Sequence, residues 1–392
     1  MLFRSTVTPN GGTLTSINLN IKNTTSGLQA YENGWLDIEV GSPNFTSITL
    51  GGTNVRFAMC ERVAVRSIGS VTGLANLFNG FRKLQSFTLP STAAITDMQR
   101  MFQSCSSLTS IPLLNTAAVT NMTNMFNGCF ALTTIPLLST ASVTNMSSMF
   151  FNCLSLVAVP LLNTAAVTTM QSMFQGCGFL TSVPLFNTAA VTNMQSMFIA
   201  CTSLTTIPLL STAAVTTMQS MFQSCGSLIT VPLINTAAVT NMNSMFVFCN
   251  SLTSIPLLNT AAVTNMGSIF ADCFPLVTIP LLNTAAVTNM QFMFSGCSSL
   301  SSVPALNVSA VSSSGNFGNI FSNCNSLSRI QASNFRFTFS VASCKLGATE
   351  LNEIYTNLPT VATTQTITVT GNHGTASANH SIAEDKGWTV AG

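Results

Sequence analysis

The sequence predicts an α/β solenoid. About ten 24-residue coils, each a short parallel strand plus a short helix or 3₁₀ turn, stand between a β-rich N-terminal cap and an α+β C-terminal cap. Three observations predict it. Nine cysteines recur every 24 residues: Cys105, Cys129, Cys153, Cys177, Cys201, Cys225, Cys249, Cys273 and Cys297. The residues between them recur too, the unit from Cys105 to Gly128 reading C-S-S-L-T-S-I-P-L-L-N-T-A-A-V-T-N-M-T-N-M-F-N-G. Such a period is the signature of stacked units that touch only their neighbours. Third, the chain is 47% hydrophobic, yet Ser, Thr, Asn or Gln breaks every apolar run before the roughly 18 residues a spanning helix needs. The apolar residues therefore belong to a core.

The elements follow in order. Residues 1–70 alternate apolar and polar residues at 14–21, 35–40 and 45–50, between Gly, Asn and Pro turns, and read as a β-rich cap or docking region. The array occupies 71–344. It opens with a degenerate V-T-G-L-A-N-L-F at 71–78 and a coil in which Phe81 replaces the Cys and Thr88 stands where Pro is expected. With the Cys as position 0, apolar residues fall at 0, 3, 6, 8, 14, 17, 20 and 21, for example Cys129, Leu132, Ile135, Leu137, Val143, Met146, Met149 and Phe150. The first stretch ends in period-2 alternation and reads as a strand; the second steps by three and four and reads as a helical or 3₁₀ turn. Thr at position 15 (Thr120, Thr144, Thr192) is placed to cap that turn. The unit from Cys297 is stretched to 27 residues by an insertion at 312–318. In the C-terminal cap, 345–392, Leu351, Ile354, Tyr355 and Leu358 predict an amphipathic helix and 365–370 a strand. Ser381 and Glu384 have capping-box spacing, Gly387 is a helix stop, and 388–390 returns as a strand.

One coil cannot stand alone. Burying eight such side chains contributes roughly 12–24 kcal/mol, while ordering 24 residues costs roughly 1–2 kcal/mol each in backbone entropy. Stacking supplies the difference.

The unit C-x-x-L-x-x-I-P-L-L-N-T-x-x-V-T-N-M-x-x-M-F resembles the BspA-like leucine-rich repeat, in the variant also found in mycoplasma surface lipoproteins and phage structural proteins. The resemblance covers residues 71–330. It implies a right-handed solenoid with a parallel sheet on one face. Members are typically bacterial surface proteins or adhesins, and similar repeats occur in bacteriophage structural proteins. The opening M-L-F-R-S-T-V-T-P-N-G-G shows neither the signal peptide nor the lipobox usual in the family, which tilts the expectation toward the phage setting. The ending S-I-A-E-D-K-G-W-T-V is similar to C-termini of leucine-rich-repeat proteins of bacteria and phages.

Charge limits the chemistry. From Met101 to Ala271 there is no Asp, Glu, Lys, Arg or His, and the net charge is +2. That span offers no basic patch for nucleic acid and no carboxylate or imidazole for acid–base work or hard metals. The regular cysteines read as a buried thiol ladder, since parallel stacked side chains point one way and no C-x-x-C or nearby His suggests zinc. Seventeen of 19 methionines, such as Met122 and Met125, fall at positions 17 and 20 and read as core. His373 and His380 flank a small-residue loop near Glu384 and Asp385 without a nucleophile motif.

The positions next to Pro at position 7 are the candidate contact site. If 6 and 8 face inward, position 9 faces out and builds a stripe of Leu114, Leu138, Leu162, Phe186, Leu210, Ile234, Leu258 and Leu282; the alternative is that position 9 turns inward. Thr at positions 11 and 15 (Thr116, Thr120, Thr140, Thr144) forms the other regular rows, bonding between coils or presenting hydroxyls to a regular surface. The expectation is a non-enzymatic structural or interaction protein without cofactor, most simply a bacteriophage virion component that contacts protein by self-association or through other virion subunits. The alternative is a bacterial cell-surface adhesin for host protein or glycan. Neither nucleic acid nor membrane insertion is expected.

Overall fold

Alternate backbone N–H groups decide how a coil is held, because each must bond within its own coil or to a neighbour. The computed structural model describes residues 16–18, 37–51 and 60–392. They fall into two compact units, Met1–Val191 and Thr192–Gly392, each a parallel solenoid.

In the coil from Cys105, the N–H groups of Met122, Asn124, Phe126 and Gly128 donate to the carbonyls of Asn145, Ser147, Met149 and Phe151 in the next coil. The intervening N–H groups turn back three residues, Met125 to Met122 and Asn127 to Asn124, and the Cys129 N–H returns to Phe126. Neither of the two forms expected there, a helix or a 3₁₀ helix, is found: the segment is a run of turns, each closed by a bond to the residue three back. An α-helix would consume every N–H internally, whereas this segment exports every second one. The path requires left-handed residues at positions 19 and 23: Asn124, Ser148 and Ser172 at the first, Gly128, Asn152 and Gly176 at the second. Asn, Ser and Gly suit that conformation. At position 16, single-residue parallel pairings run Gly73–Asp97–Asn121–Asn145–Thr169 in the first unit and Asn193–Thr217–Asn241–Asn265–Asn289 in the second. The turn is capped from position 16, not by Thr at position 15: Asn121 Oδ1 accepts the Thr123 N–H at 3.0 Å and Asn145 Oδ1 the Ser147 N–H at 2.9 Å, and Thr169 Oγ1 takes the same place toward the Gln171 N–H.

The first unit holds β1 (Ser16–Asn18), β2 (Asp37–Gly41), β3 (Ser47–Thr49), β4 (Arg62–Ser67) and β5 (Ser86–Thr88). β1 pairs with β3, and β2–β4–β5 form a parallel sheet with Ile38, Val63 and Phe87 buried in one row. The expected strand at 14–21 lies mostly outside the described residues. In the second unit, β6 (Ser302–Asn307) pairs in parallel with β7 (Arg329–Ser333). The insertion between them forms a 3₁₀ turn at Ser314–Asn316.

The C-terminal cap places α1 (Ala348–Asn357) and α2 (Ser381–Glu384) around the parallel sheet β10–β9–β8, made of β8 (Phe339–Ser340), β9 (Gln365–Thr368) and β10 (Trp388–Ala391). α1 buries Leu351, Ile354 and Tyr355, as its spacing predicts. Lys386 Nζ donates to the carbonyls of Tyr355, Thr356 and Leu358 at 3.1, 2.6 and 2.9 Å, satisfying the open C-terminus of α1. Buried Asn372 ties the cap to the last coil, donating to the Val341 and Val369 carbonyls and accepting the Leu346 N–H. The capping box expected at Ser381 and Glu384 does not form: the Ser381 hydroxyl turns to Asn379 Oδ1, 2.8 Å away. Gly387, with φ of +88°, is the helix stop.

Stacked ladders of like residues fill the core. Phe102, Phe126, Phe150 and Phe174 stack in the first unit at 5.5–5.6 Å with planes within 7°. Phe198, Phe222, Phe246, Phe270, Phe294 and Phe321 stack in the second at 5.7–6.0 Å within 12°. Methionines at positions 17 and 20 are fully buried beside them. So are the cysteines.

Candidate functional site

Inward-facing side chains between positions 3 and 9 recur every third residue: Leu108, Ile111 and Leu114 in one coil, Leu132, Ile135 and Leu138 in the next. Three is the period of a polyproline II path, not of a strand. Proline at position 7 favours it by fixing φ and removing the ladder donor. In the coils between β5 and β6 no strand forms across these positions.

This period corrects the expected contact stripe. Leu114, Leu138, Leu162, Phe186, Leu210, Ile234, Leu258 and Leu282 are all buried, turned inward as the third step of the path. The outward residues are their predecessors at position 8, which the sequence pattern assigned to the core. Leu113 is 72% exposed, and Leu137, Leu161, Leu185, Leu209, Leu233, Leu257 and Leu281 lie between 61% and 66%. The first unit carries four of these leucines and the second unit four. Period-2 reading through a proline put the stripe one residue too far along the chain.

The surroundings of the leucines are polar but uncharged. Position 10 is Asn or Ser, and its side chain, as at Asn115, Asn163 and Asn235, accepts the N–H two residues on. Thr at position 11 is buried, and its hydroxyl donates to the position 10 carbonyl of the next coil, 2.7 Å from Thr116 to Ser139 and from Thr140 to Asn163. Thr at position 15 is exposed and donates to the carbonyl of its counterpart in the preceding coil, as Thr120 does to Thr96 and Thr144 to Thr120. Both Thr rows thus bond coil to coil. The leucine row ends where Ala305 takes position 8, beside a shallow open depression between Leu281–Ala285 and Ala305–Asn307.

Elsewhere the chemistry is closed off. All twelve cysteines are buried thiols outside any disulfide. In the repeat the Sγ–H groups donate to phenylalanine carbonyls 27 residues earlier, Cys129 to Phe102 and Cys153 to Phe126 at 3.1 Å, Cys297 to Phe270 at 3.0 Å. Burial pushes ten of the thiols up, Cys225 and Cys273 to about 12, so these stay protonated and unreactive. His373 is exposed, and His380 Nε2 lies 3.0 Å from the Thr375 carbonyl with its ring edge on Tyr355. Neither forms an ion pair with Glu384 or Asp385 among the described residues. No group of three or more His, Cys, Asp or Glu converges among the described residues, and no helix there is long and apolar enough to cross a membrane.

A family profile described as "Mycoplasma protein of unknown function, DUF285" matches residues 72–177, 129–232, 155–253 and 229–335, more than half of the chain. The chain belongs to the DUF285 family. The matched residues span the 24-residue repeat array, whose motif resembles the BspA-like leucine-rich repeat. Among solved structures, the chain is similar to a leucine-rich repeat protein from Bacteroides ovatus, with 20% identity over 83% of this chain and 87% of that one and a TM-score of 0.47. It is also similar to a leucine rich cell surface protein from Faecalibacterium prausnitzii (19% identity, 76% of this chain, 79% of that one, TM-score 0.39). The T. pallidum leucine-rich repeat protein is 26% identical over 43% of this chain and 76% of that one, with a TM-score of 0.34. No curated protein matches the chain in sequence.

Proposed function

We propose that this protein is a non-enzymatic structural or interaction component of a bacteriophage virion (a fibre, tail appendage or capsid decoration) whose coils mediate assembly or host-surface contact. One observation carries the reading: position 8 presents leucine in all eight coils from Cys105 to Leu282, on a span without a charged side chain before Asp272. A surface shaped for one small ligand varies its exposed residues from repeat to repeat. An invariant apolar row suits a covered, repetitive contact, and contiguous exposed apolar surface marks association sites. Low charge opposes life as a free protein at high concentration, and an assembled particle removes that difficulty.

The test is immunogold labelling of purified particles and of uninfected cells in the source, with a mass-spectrometric inventory of the particles. Gold on particles supports the virion reading. Gold on the outer surface of uninfected cells overturns it and makes the protein a cell-surface adhesin.

A further inference from the structure

We propose that the position 8 leucine face is an interface between two copies of this chain, like unit against like unit. The inference rests on the assembly reading above and names its first partner.

Three observations lead there. The stripe repeats with the coil: Leu113, Leu137, Leu161 and Leu185 in the first unit, Leu209, Leu233, Leu257 and Leu281 in the second. A partner that covers every leucine must itself carry apolar groups at the same coil-to-coil interval, close to the spacing of stacked strands. A second copy has that interval by construction. Two such rows related by a two-fold axis can interdigitate along their whole length, residue i on residue j and j on i.

Second, exposed leucine and missing charge coincide. Charged side chains are the usual guard against edge-to-edge association. Here they are absent from Met101 to Ala271, the span holding seven of the eight exposed leucines. Outside it, the leucine at position 8 in the preceding coil, Leu89, is only half-exposed, and Ala305 ends the row at the other side. No ion needs desolvating when two such faces meet, so the usual penalty for burying surface charge does not arise.

Third, large apolar side chains come and go at other exposed positions, while position 8 keeps its leucine. Position 1 is Phe130, Leu154, Gly178 and Thr202 in successive coils, and position 4 is Thr133, Val157, Thr181 and Thr205. The other exposed positions that repeat, Ala at position 12 and Thr at position 15, are small or polar; among the described residues position 8 alone repeats a large exposed apolar side chain.

The experiment is sedimentation velocity on the full chain at micromolar concentration. The expected result is a dimer for the wild type, and a monomer for the paired variants Leu137→Asp/Leu161→Asp combined with Leu233→Asp/Leu257→Asp, with the circular dichroism spectrum of the folded chain unchanged because all four leucines are exposed within one chain. A second readout does not depend on the charged variants folding. Since every native thiol is buried, single cysteines introduced at Leu137, Leu161, Leu233 or Leu257 are the accessible ones. Oxidation with diamide gives an inter-chain disulfide at one or more of them and none at the exposed controls Ala117→Cys and Ala213→Cys. A monomeric wild type, a variant that stays dimeric, or cross-linking no stronger on the stripe than at the controls overturns the inference. A dimer in solution with no labelled particles sinks the virion reading alone; a monomer found in particles sinks this inference alone.

Discussion

At the residue scale, the cysteine shows how a repeat assigns a job. Position 0 sits where the turn segment ends, and its N–H already returns to the phenylalanine just before it, as Cys129 does to Phe126. A small apolar side chain fits the remaining space, and its Sγ–H finds the phenylalanine carbonyl one coil back, Phe102 for Cys129 and Phe222 for Cys249, both at 3.1 Å. Serine would fit but would bury a more strongly hydrated hydroxyl, and alanine would leave the space empty. Protonated, hydrogen-bonded and without solvent contact, these thiols have no route to an electrophile. Native protein held at pH 7.5 with excess iodoacetamide is therefore expected to gain no label by intact mass spectrometry, and unfolded protein to gain one label on each of its twelve cysteines. Labels on the native chain at Cys105 through Cys297 would show that the core opens or that the thiols do not face it.

At the scale of the element, the turn segment and the proline segment share one cause: neither uses regular ladder pairing along its whole length. This is why the fold was legible in the sequence and the site was not. The 24-residue period, the inward Cys, Leu, Val, Met and Phe positions, α1 and the C-terminal strands all follow from spacing, because burial alone decides them. The exposed stripe depends on whether the chain steps by two or by three between Leu108 and Leu114, and the apolar pair Leu113–Leu114 satisfies either choice until Pro112 is given its proper weight. The turns likewise betray themselves through residue type, Asn, Ser and Gly at positions 19 and 23, more than through apolar period. Arg100, Ala200, Asp272, Phe292 and Phe248 break that rule, and Phe248 is the clearest case. It holds a φ of +59° at position 23 while 43% exposed, a conformation that costs roughly 1–2 kcal/mol for an ordinary side chain. Asparagine occupies the same place at Asn152. Phe248→Asn is expected to stabilise the second unit by about 1 kcal/mol in urea unfolding; a loss of stability would mean the phenylalanine makes contacts worth more than its strain.

At the scale of the whole molecule, stability depends on titration in an unusual way, because so few groups other than thiols titrate within the coils. Burial raises four cysteines in the first unit (Cys105, Cys129, Cys153 and Cys177) and six in the second (Cys225, Cys249, Cys273, Cys297, Cys324 and Cys344). A group whose folded pKa lies above its unfolded value contributes stability in full below the unfolded pKa and loses it as pH rises toward the folded one. For a thiol the unfolded value is about 8.5. Above it the unfolded chain releases protons that the folded chain keeps, and each thiol then costs about 1.4 kcal/mol per pH unit. Six together cost roughly 8 kcal/mol per unit, against a typical domain stability of about 5–15 kcal/mol. The second unit is therefore expected to unfold within about one to two pH units above the free-thiol pKa, well before its own thiols ionise in place. Circular dichroism at fixed temperature across this range should show a steep, cooperative loss of structure. Replacing Cys225 and Cys249 together by alanine lowers stability at neutral pH through the cavities left behind, yet flattens the alkaline slope by about a third, since two of six titrating groups are gone. An unchanged slope in that variant would place the alkaline transition elsewhere than in the buried cysteine ladder.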